Sequence, residues 1–447
     1  MSISSPPHLP PATPTYILRG HTAPIHGLHV FHHNLRLISG DANGWIVIWD
    51  LVSKRPVAVW KAHEGALLEV KGFTLDDGVT EIYTHGRDHK LRVWKFRPQD
   101  EDILSKTLPV DTGEKWSGNQ PWMVHSLHVN ALNFCAFAML FVGGGLEKTP
   151  NTDADAVTDM RSSPLEETKK SSVLIAVPNA LDSGAIDVFH LPLERRLCTI
   201  PPSVKTGMVM AVSLFFSSSG DMYIASAYED GHVMVFARRG PFNPDVSCNP
   251  SDWKWELLYI CRAHTQPALS IDVSATRDYF FSSSADAVLV KHPVPCLGRG
   301  SHSHSQGGVS PDEKPLKMIN TKHAGQQSLR VRSDVRIFAT AGWDSRVRVY
   351  SCRTLKELAV LKWHKEGCYA VAFAEVLASM NDGASTDGKG ELQGELQGDG
   401  GNDGQLTRRE GEFSLASVQR QRNHKVQGTH WLAVGSKDGK ISLWDIY

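Results

Sequence analysis

Long apolar runs are missing from this 447-residue chain; none approaches the ~20 residues a helix needs to span a bilayer, so a membrane-spanning helix is not expected. Cysteine is scarce: the seven residues at 135, 198, 248, 261, 296, 352 and 368 form no Cys-x-x-Cys pair. An odd, scattered set argues against a disulfide framework and fits reduced thiols in a nuclear or cytosolic protein. Neither sign of charge is in excess, because 47 Lys and Arg face 48 Asp and Glu and leave a net charge of −1. That balance removes the global electrostatic case for nucleic acid or anionic membrane as the main partner. The opening stretch MSISSPPHLPPATPTY lacks the apolar core of a signal peptide, so secretion is not expected. Catalytic signatures are absent too: there is no GxSxG, HExxH, Walker lysine or paired CxxC. No catalytic, cofactor-binding or metal-binding residue is therefore assigned, and a non-enzymatic protein is expected.

What the chain does contain is a repeat. Residues 18–50, LRGHTAPIHGLHVFHHNLRLISGDANGWIVIWD, open on Gly20-His21 and close on Trp49-Asp50, with short apolar runs and a turn between. Comparable starts occur at His63, His128, His264, His323 and His364, with a degenerate Thr206-Gly207. Seven closing positions follow: Trp49, Trp94, Phe189, Phe236, His292, Tyr350 and Trp444. Asp88, Asp230, Asp286, Asp344 and Asp438 each stand six residues before the closing residue, and Asn43 and Ser183 hold that place in units one and three. Four residues before the turn position a hydroxyl recurs as Ser39, Thr84, Ser226, Ser282 and Thr340.

Two fixed offsets at a period of ~40–45 residues resemble the WD40 repeat. That resemblance implies an all-β, seven-bladed propeller in which start His, strand hydroxyl, turn Asp and closing Trp form one buried hydrogen-bonded relay. The full set falls on His63, Thr84, Asp88 and Trp94. Partial sets fall on His21, Ser39 and Trp49; Ser226 and Asp230; His264, Ser282 and Asp286; His323, Thr340 and Asp344; and His364, Asp438 and Trp444. These residues are read as holding blades together, not as catalysts.

A ring of seven such units needs ~300 residues, so the remainder must be lead and insertions. Residues 1–14 read as a disordered Pro-rich lead, and 15–447 as a single propeller with repeats starting near 21, 63, 128, 207, 264, 323 and 364. The chain stops at a third strand, Ile441–Asp445, so Tyr16–Leu18 is expected to supply the fourth and lace the ring shut. Disordered loop insertions are expected at 97–119, 143–172, 297–313 and 377–427. In the first, Trp116 and nearby Trp122 are expected to pin the loop to its blade. The first strand of unit three is read as Ala131–Val142. The Gly143-Gly144-Gly145 triplet is a flexible strand exit and not a phosphate cradle, and His302-x-His304 lies in a Ser/Gly linker without further ligands. The last insertion, Gly/Asp/Gln-rich and then basic from Arg408 and at Gln419–Arg422, is too poor in apolar residues to offset its ordering entropy.

The stretches PTYILRGHTAPIHGLHVF, HGRDHKLRVWKF and WLAVGSKDGKISLWDIY resemble the fungal ASTRA-associated WD-repeat family, whose animal relatives are G-protein β-like. The resemblance implies a scaffold subunit of the ASTRA complex, linked to chromatin remodelling and PI3-kinase-like kinase maturation. It implies as partners the TTT co-chaperone, the RuvB-like AAA+ ATPases and a PI3-kinase-like pseudokinase coactivator. It places the chain in the nucleus, with the cytoplasm as a further site. The alternatives are a histone-tail or peptide reader and a ubiquitin-ligase substrate receptor. The latter often carries an Arg two residues after the WD Asp, where this chain has Val52 and Tyr447. A Gβ subunit would need an N-terminal coiled-coil helix, which residues 1–15 are too short and Pro-rich to make.

Overall fold

Runs such as Trp45-Ile46-Val47-Ile48-Trp49 are β-branched and aromatic, and turn formers bound them, so each folds as a short strand with both faces buried. The computed structural model describes residues 12–112, 116–130, 134–142, 172–240, 253–297, 314–377 and 415–446. It contains seven four-stranded antiparallel sheets. Strand β1 (Tyr16–Leu18) comes first. Blade 1 follows as β2 (Ile25–Phe31), β3 (Arg36–Asp41), β4 (Trp45–Asp50) and β5 (Arg55–Lys61). Blade 2 is β6 (Leu67–Thr74), β7 (Thr80–Gly86), β8 (Lys90–Phe96) and β9 (Trp122–His128). Blade 3 is β10 (Ala138–Val142), β11 (Ser172–Pro178), β12 (Ile186–Leu191) and β13 (Arg195–Ile200). Blade 4 is β14 (Val209–Phe216), β15 (Met222–Tyr228), β16 (His232–Arg238) and β17 (Glu256–Arg262). Blade 5 is β18 (Ala268–Val273), β19 (Tyr279–Ser284), β20 (Val288–Pro293) and β21 (Lys317–Asn320). Blade 6 is β22 (Gln326–Val331), β23 (Ile337–Gly342), β24 (Arg346–Ser351) and β25 (Glu357–Lys362). Blade 7 takes β26 (Cys368–Phe373), β27 (Trp431–Ser436) and β28 (Ile441–Asp445) and is completed by β1.

The closure is specific. Tyr16, Ile17 and Leu18 pair with Leu443, Ser442 and Ile441, and the Thr15 amide donates to the Leu443 carbonyl at 2.8 Å. The apolar core is divided into seven clusters, one at each junction between neighbouring blades. Leu18 and Ile441 belong to the cluster joining blade 7 to blade 1, and Ile38 and Trp94 to the one joining blades 1 and 2. Among the described residues there is no central core, because the inner strands β2, β6, β10, β14, β18, β22 and β26 surround a channel. Turn glycines set the spacing between blades. Gly44 (φ +84°) and Gly231 (φ +88°) sit so close to the backbone carbonyls of His63 and His264 that a Cβ would collide with them.

Several expectations need correction. The 97–119 insertion is ordered where described: turns at Pro98–Asp100 and Pro109–Asp111 frame Ser105, whose carbonyl accepts the Val59 amide at 2.7 Å from the outer strand of blade 1. Buried Leu104 and the edge-on Trp45–Trp116 contact at 5.7 Å hold it there. Trp122 does not help, since it is 76% exposed on β9. The first strand of blade 3 is Ala138–Val142, and 131–133 lies outside the described residues. His128 ends the outer strand of blade 2 and is exposed; Asn130, two residues on, is buried and donates to the Asn179 carbonyl at 2.8 Å. The 377–427 insertion ends in a helix, α1 (Leu415–Gln427), where thirteen residues free of Gly and Pro follow the Gly-rich run. Most of the Pro-rich lead (1–11), the 143–171 stretch with its Gly triplet, 298–313 with its His-x-His pair, and 378–414 lie outside the described residues.

Candidate functional site

Two constellations come from this ring: the relays that brace each blade, and the mouth of the channel above them.

In blade 2 the relay is complete. Trp94 Nε1–H donates to Thr84 Oγ1 at 3.0 Å, Thr84 Oγ1 lies 2.8 Å from His63 Nε2, and His63 Nδ1 lies 2.8 Å from Asp88 Oδ1. Each group then has one role: indole donates to hydroxyl, hydroxyl to imidazole, imidazole to carboxylate. The histidine must be neutral for this order, and burial, only partly offset by Asp88, lowers the His63 pKa accordingly. Asp88 shows the opposite balance. Burial raises its pKa, but the His63 hydrogen bond and the nearby Arg92 charge outweigh that and bring it to about 2.

Blade 1 repeats the arrangement with an acid the register did not point to. His21 Nδ1 meets Asp41 at 2.7 Å, while Ser39 Oγ stands 2.8 Å from His21 Nε2 and 2.9 Å from Trp49 Nε1. Asp41, two residues before Asn43, takes the turn role by accepting the Asn43 and Trp45 amides.

Blade 5 substitutes His292 for Trp and keeps the geometry. Ser282 Oγ lies 2.7 Å from both His264 Nε2 and His292 Nε2, and His264 Nδ1 is 3.3 Å from Asp286. An imidazole brings a second nitrogen that an indole lacks, and the Tyr259 hydroxyl from the neighbouring blade meets it at 2.8 Å.

In blade 7 the hydroxyl changes strand. Val434 holds the expected place, and Ser442, directly opposite it in the ladder, serves both His364 Nε2 (2.9 Å) and Trp444 Nε1 (2.8 Å); Asp438 stands 3.6 Å from His364 Nδ1.

His323 is a correction. It lies 4.0 Å from Asp344 and is only half-buried, so it completes no relay. Asp344 is instead held by Arg348, a buried side chain at 2.6 and 3.2 Å. Thr340 Oγ1 reaches no histidine and has only the Tyr350 hydroxyl beside it. Blade 4 keeps Ser226 on Tyr228 (3.1 Å) and Asp230 on His232 (2.7 Å), with no start histidine. In blade 3 Ser183 plays no such part, and Asp187 is bonded by Asn179 and Thr199.

One buried histidine lies outside the relays and lacks a partner altogether. His85, in β7 against Phe137, finds no hydrogen-bond partner for either ring nitrogen, and burial pushes its pKa to about 3. The unfolded chain takes up that proton near the ordinary 6.5. Its contribution is therefore fully present above pH 6.5 and falls as pH drops toward 3, by about 2 kcal/mol at pH 5. His85→Leu should raise the melting temperature at pH 7 and flatten its decline between pH 7 and 5, as read by circular dichroism.

The channel encloses about 640 Å³. Across it Arg330 of blade 6 reaches Glu69 of blade 2 at 2.7 Å, and Asp272 accepts the Val331 amide at 2.7 Å. Burial raises the Asp272 pKa and lowers that of Lys71, and His29 is kept neutral while its Nδ1 accepts the Gly72 amide at 3.1 Å.

The mouth lies at the beginnings of the inner strands, beside the turns carrying Arg87 and Trp343. Arg87 covers the Phe134 ring at 4.6 Å, and His26 stacks on Tyr369 at 5.5 Å. Trp343 Nε1–H donates to Gln327 at 2.8 Å. Phe134 and Trp343 remain 57% and 48% exposed. Aromatic rings fixed by neighbours yet open to solvent suit protein recognition, because little entropy is lost when a partner covers them. Arg87 and Trp343 share one repeat position, directly before the turn residues Asp88 and Asp344, and His26 and Tyr369 share another, five residues after His21 and His364; the residue type at these positions changes from blade to blade, which is why sequence reasoning missed them. Among the described residues, no group of three or more His, Cys, Asp or Glu is placed to hold a metal, and no helix is long and apolar enough to cross a membrane.

The family model for ASTRA-associated protein 1 matches residues 14–444, which takes in all seven blades and the closing strand. The chain belongs to the ASTRA-associated protein 1 family. It is 62% identical to the ASTRA-associated protein 1 of Aspergillus flavus over 456 residues, covering all of both chains. It is similar to that of Pyricularia oryzae at 39% identity, over 98% of each chain. It also resembles that of Schizosaccharomyces pombe at 32%, over 81% of this chain and 93% of the relative.

Proposed function

We propose that this chain is a non-enzymatic scaffold of the ASTRA complex that offers the channel mouth to a protein partner. The observation carrying this reading is the rigid, solvent-open set Phe134, Arg87 and Trp343 on a closed ring. The name shared by its relatives supports the ASTRA assignment. In finer detail, the TTT co-chaperone, the RuvB-like ATPases and the pseudokinase coactivator are the partners to look for. Chromatin remodelling and kinase maturation are the processes, and the nucleus is the place. A cationic histone tail is less suited to this mouth, where the Arg87 guanidinium already occupies the Phe134 face.

Affinity purification of the tagged chain from its own cells, read by mass spectrometry, tests this. The wild type should recover the RuvB-like ATPases and the kinase co-chaperone at near-stoichiometric levels. Trp343→Ala with Phe134→Ala should lower that recovery about tenfold, with melting unchanged. Recovery of histones or cullin adaptors instead would overturn the reading.

A further inference from the structure

Helix α1 leaves blade 7 between β26 and β27, at the end of the ring opposite the mouth, since β26 starts at the mouth beside Tyr369 and runs away from it. Among the described residues, its contacts with the ring lie in the last turn. Val426 is buried in the core between blades 7 and 1, the Trp431 indole donates to the Val426 carbonyl at 3.1 Å, and Asn34 donates to the Gln427 carbonyl at 3.2 Å. The preceding turns stand in solvent, and Leu415 is 90% exposed. A water-facing helix this loosely held is ordinarily braced by acid–base pairs three or four residues apart. This one contains no Asp or Glu. Arg420, Arg422 and Lys425 form no ion pair with any described residue, and Arg422 and Lys425 repel each other across one turn. Lys54, the cation nearest the anchor, is already stacked on Trp431 at 4.3 Å.

Leu415, Val418, Arg422 and Lys425 are spaced i, i+3, i+7 and i+10, so they share one face, apolar at its first half and cationic at its second. We infer that α1 is a docking helix and that this face lies in a groove on a protein partner, apolar where it receives Leu415 and Val418 and lined by carboxylates where it receives Arg422 and Lys425. Charge complementarity selects the acidic half: cations with no counter-charge among the described residues gain most from a partner that supplies one. The apolar half argues against nucleic acid, because Leu415 and Val418 gain nothing from a phosphate backbone and so few cations neutralise few phosphates. The inference is independent of the channel mouth and gives the ring a second, oppositely placed binding face.

Zero-length carbodiimide crosslinking in extract of the native cell, using the full-length chain, tests it, because that reagent joins the Lys425 amine only to a carboxylate in contact. Lys425 should link to an Asp or Glu of another polypeptide, and the link should survive nuclease. Arg422→Glu, and separately Leu415→Ser with Val418→Ser, should each lower its yield about tenfold while the melting temperature stays within about 2 °C. Changing the mapped partner carboxylate to Lys should restore yield to the Arg422→Glu chain. Links confined to this chain's own carboxylates, no link at all, a link abolished by nuclease, or a yield indifferent to the variants would each overturn the inference. Recovery of ASTRA components with Lys425 unlinked would sink this inference and spare the scaffold reading. A Lys425 link to a protein outside ASTRA, with no ASTRA components recovered, would do the reverse.

Discussion

Removing residues 1–19 should lower the melting temperature by roughly 5–10 °C, whereas removing Asp382–Gly404 should shift it by no more than about 2 °C. The first deletion takes away β1, which buries Leu18 in the junction between blades 7 and 1 and pairs along β28. Burial of that leucine stabilises by about 2 kcal/mol and each ladder hydrogen bond by about 1, so a loss of about 5 kcal/mol is expected. It also bares the edge of β28, so the shortened chain should aggregate on heating where the intact chain does not. The second deletion lies outside the described residues, and all four strands of each described sheet come from elsewhere in the chain. Shortening the connection changes closure entropy by only a fraction of a kcal/mol. Equal melting temperatures for the two deletions would show that the ring is not held by its N-terminal strand.

Thr84→Val should cost about 3 kcal/mol in urea denaturation, and Thr340→Val less than about 1. The two threonines hold the same repeat position, four residues before a turn Asp, and both are fully buried. Valine preserves the shape of each, so packing changes little. At position 84 the hydroxyl is shared by Trp94 and His63, and its loss strands a buried indole N–H and a buried imidazole nitrogen. At position 340 the hydroxyl has only the Tyr350 hydroxyl beside it, because His323 stands away and Arg348 has taken over Asp344. Removing it strands no indole or imidazole nitrogen, so the penalty is smaller. Equal costs at both positions would mean that the relay contributes nothing beyond shape.

The pair also shows where the repeat register stops being informative. Ser39, Thr84 and Ser282 are each found between a start histidine and a closing ring, as their offsets suggested. Offsets name positions along one strand, however, and hydrogen bonds are made across strands. In blade 7 the hydroxyl sits on the facing strand as Ser442, and in blade 5 a histidine stands in for tryptophan with Tyr259 of blade 4 completing it. Neither compensation has a linear signature. Helix α1 escaped notice for a related reason: its thirteen residues follow a Gly/Asp-rich run whose composition dominated the reading of the whole insertion.

Read alone, the sequence determined the blade count, the all-β class, the N-terminal closing strand and the family. These follow from short-range periodicity and from the need of every sheet edge to find a partner, both of which are written along the chain. Tertiary structure alone decided which relays are complete, that Arg348 displaces His323, and that Arg87, Phe134 and Trp343 converge on one mouth. It also decided that a basic helix stands on the far face. Ring closure brings together residues from separate blades, and whether two side chains meet there depends on distances that no one-dimensional pattern carries.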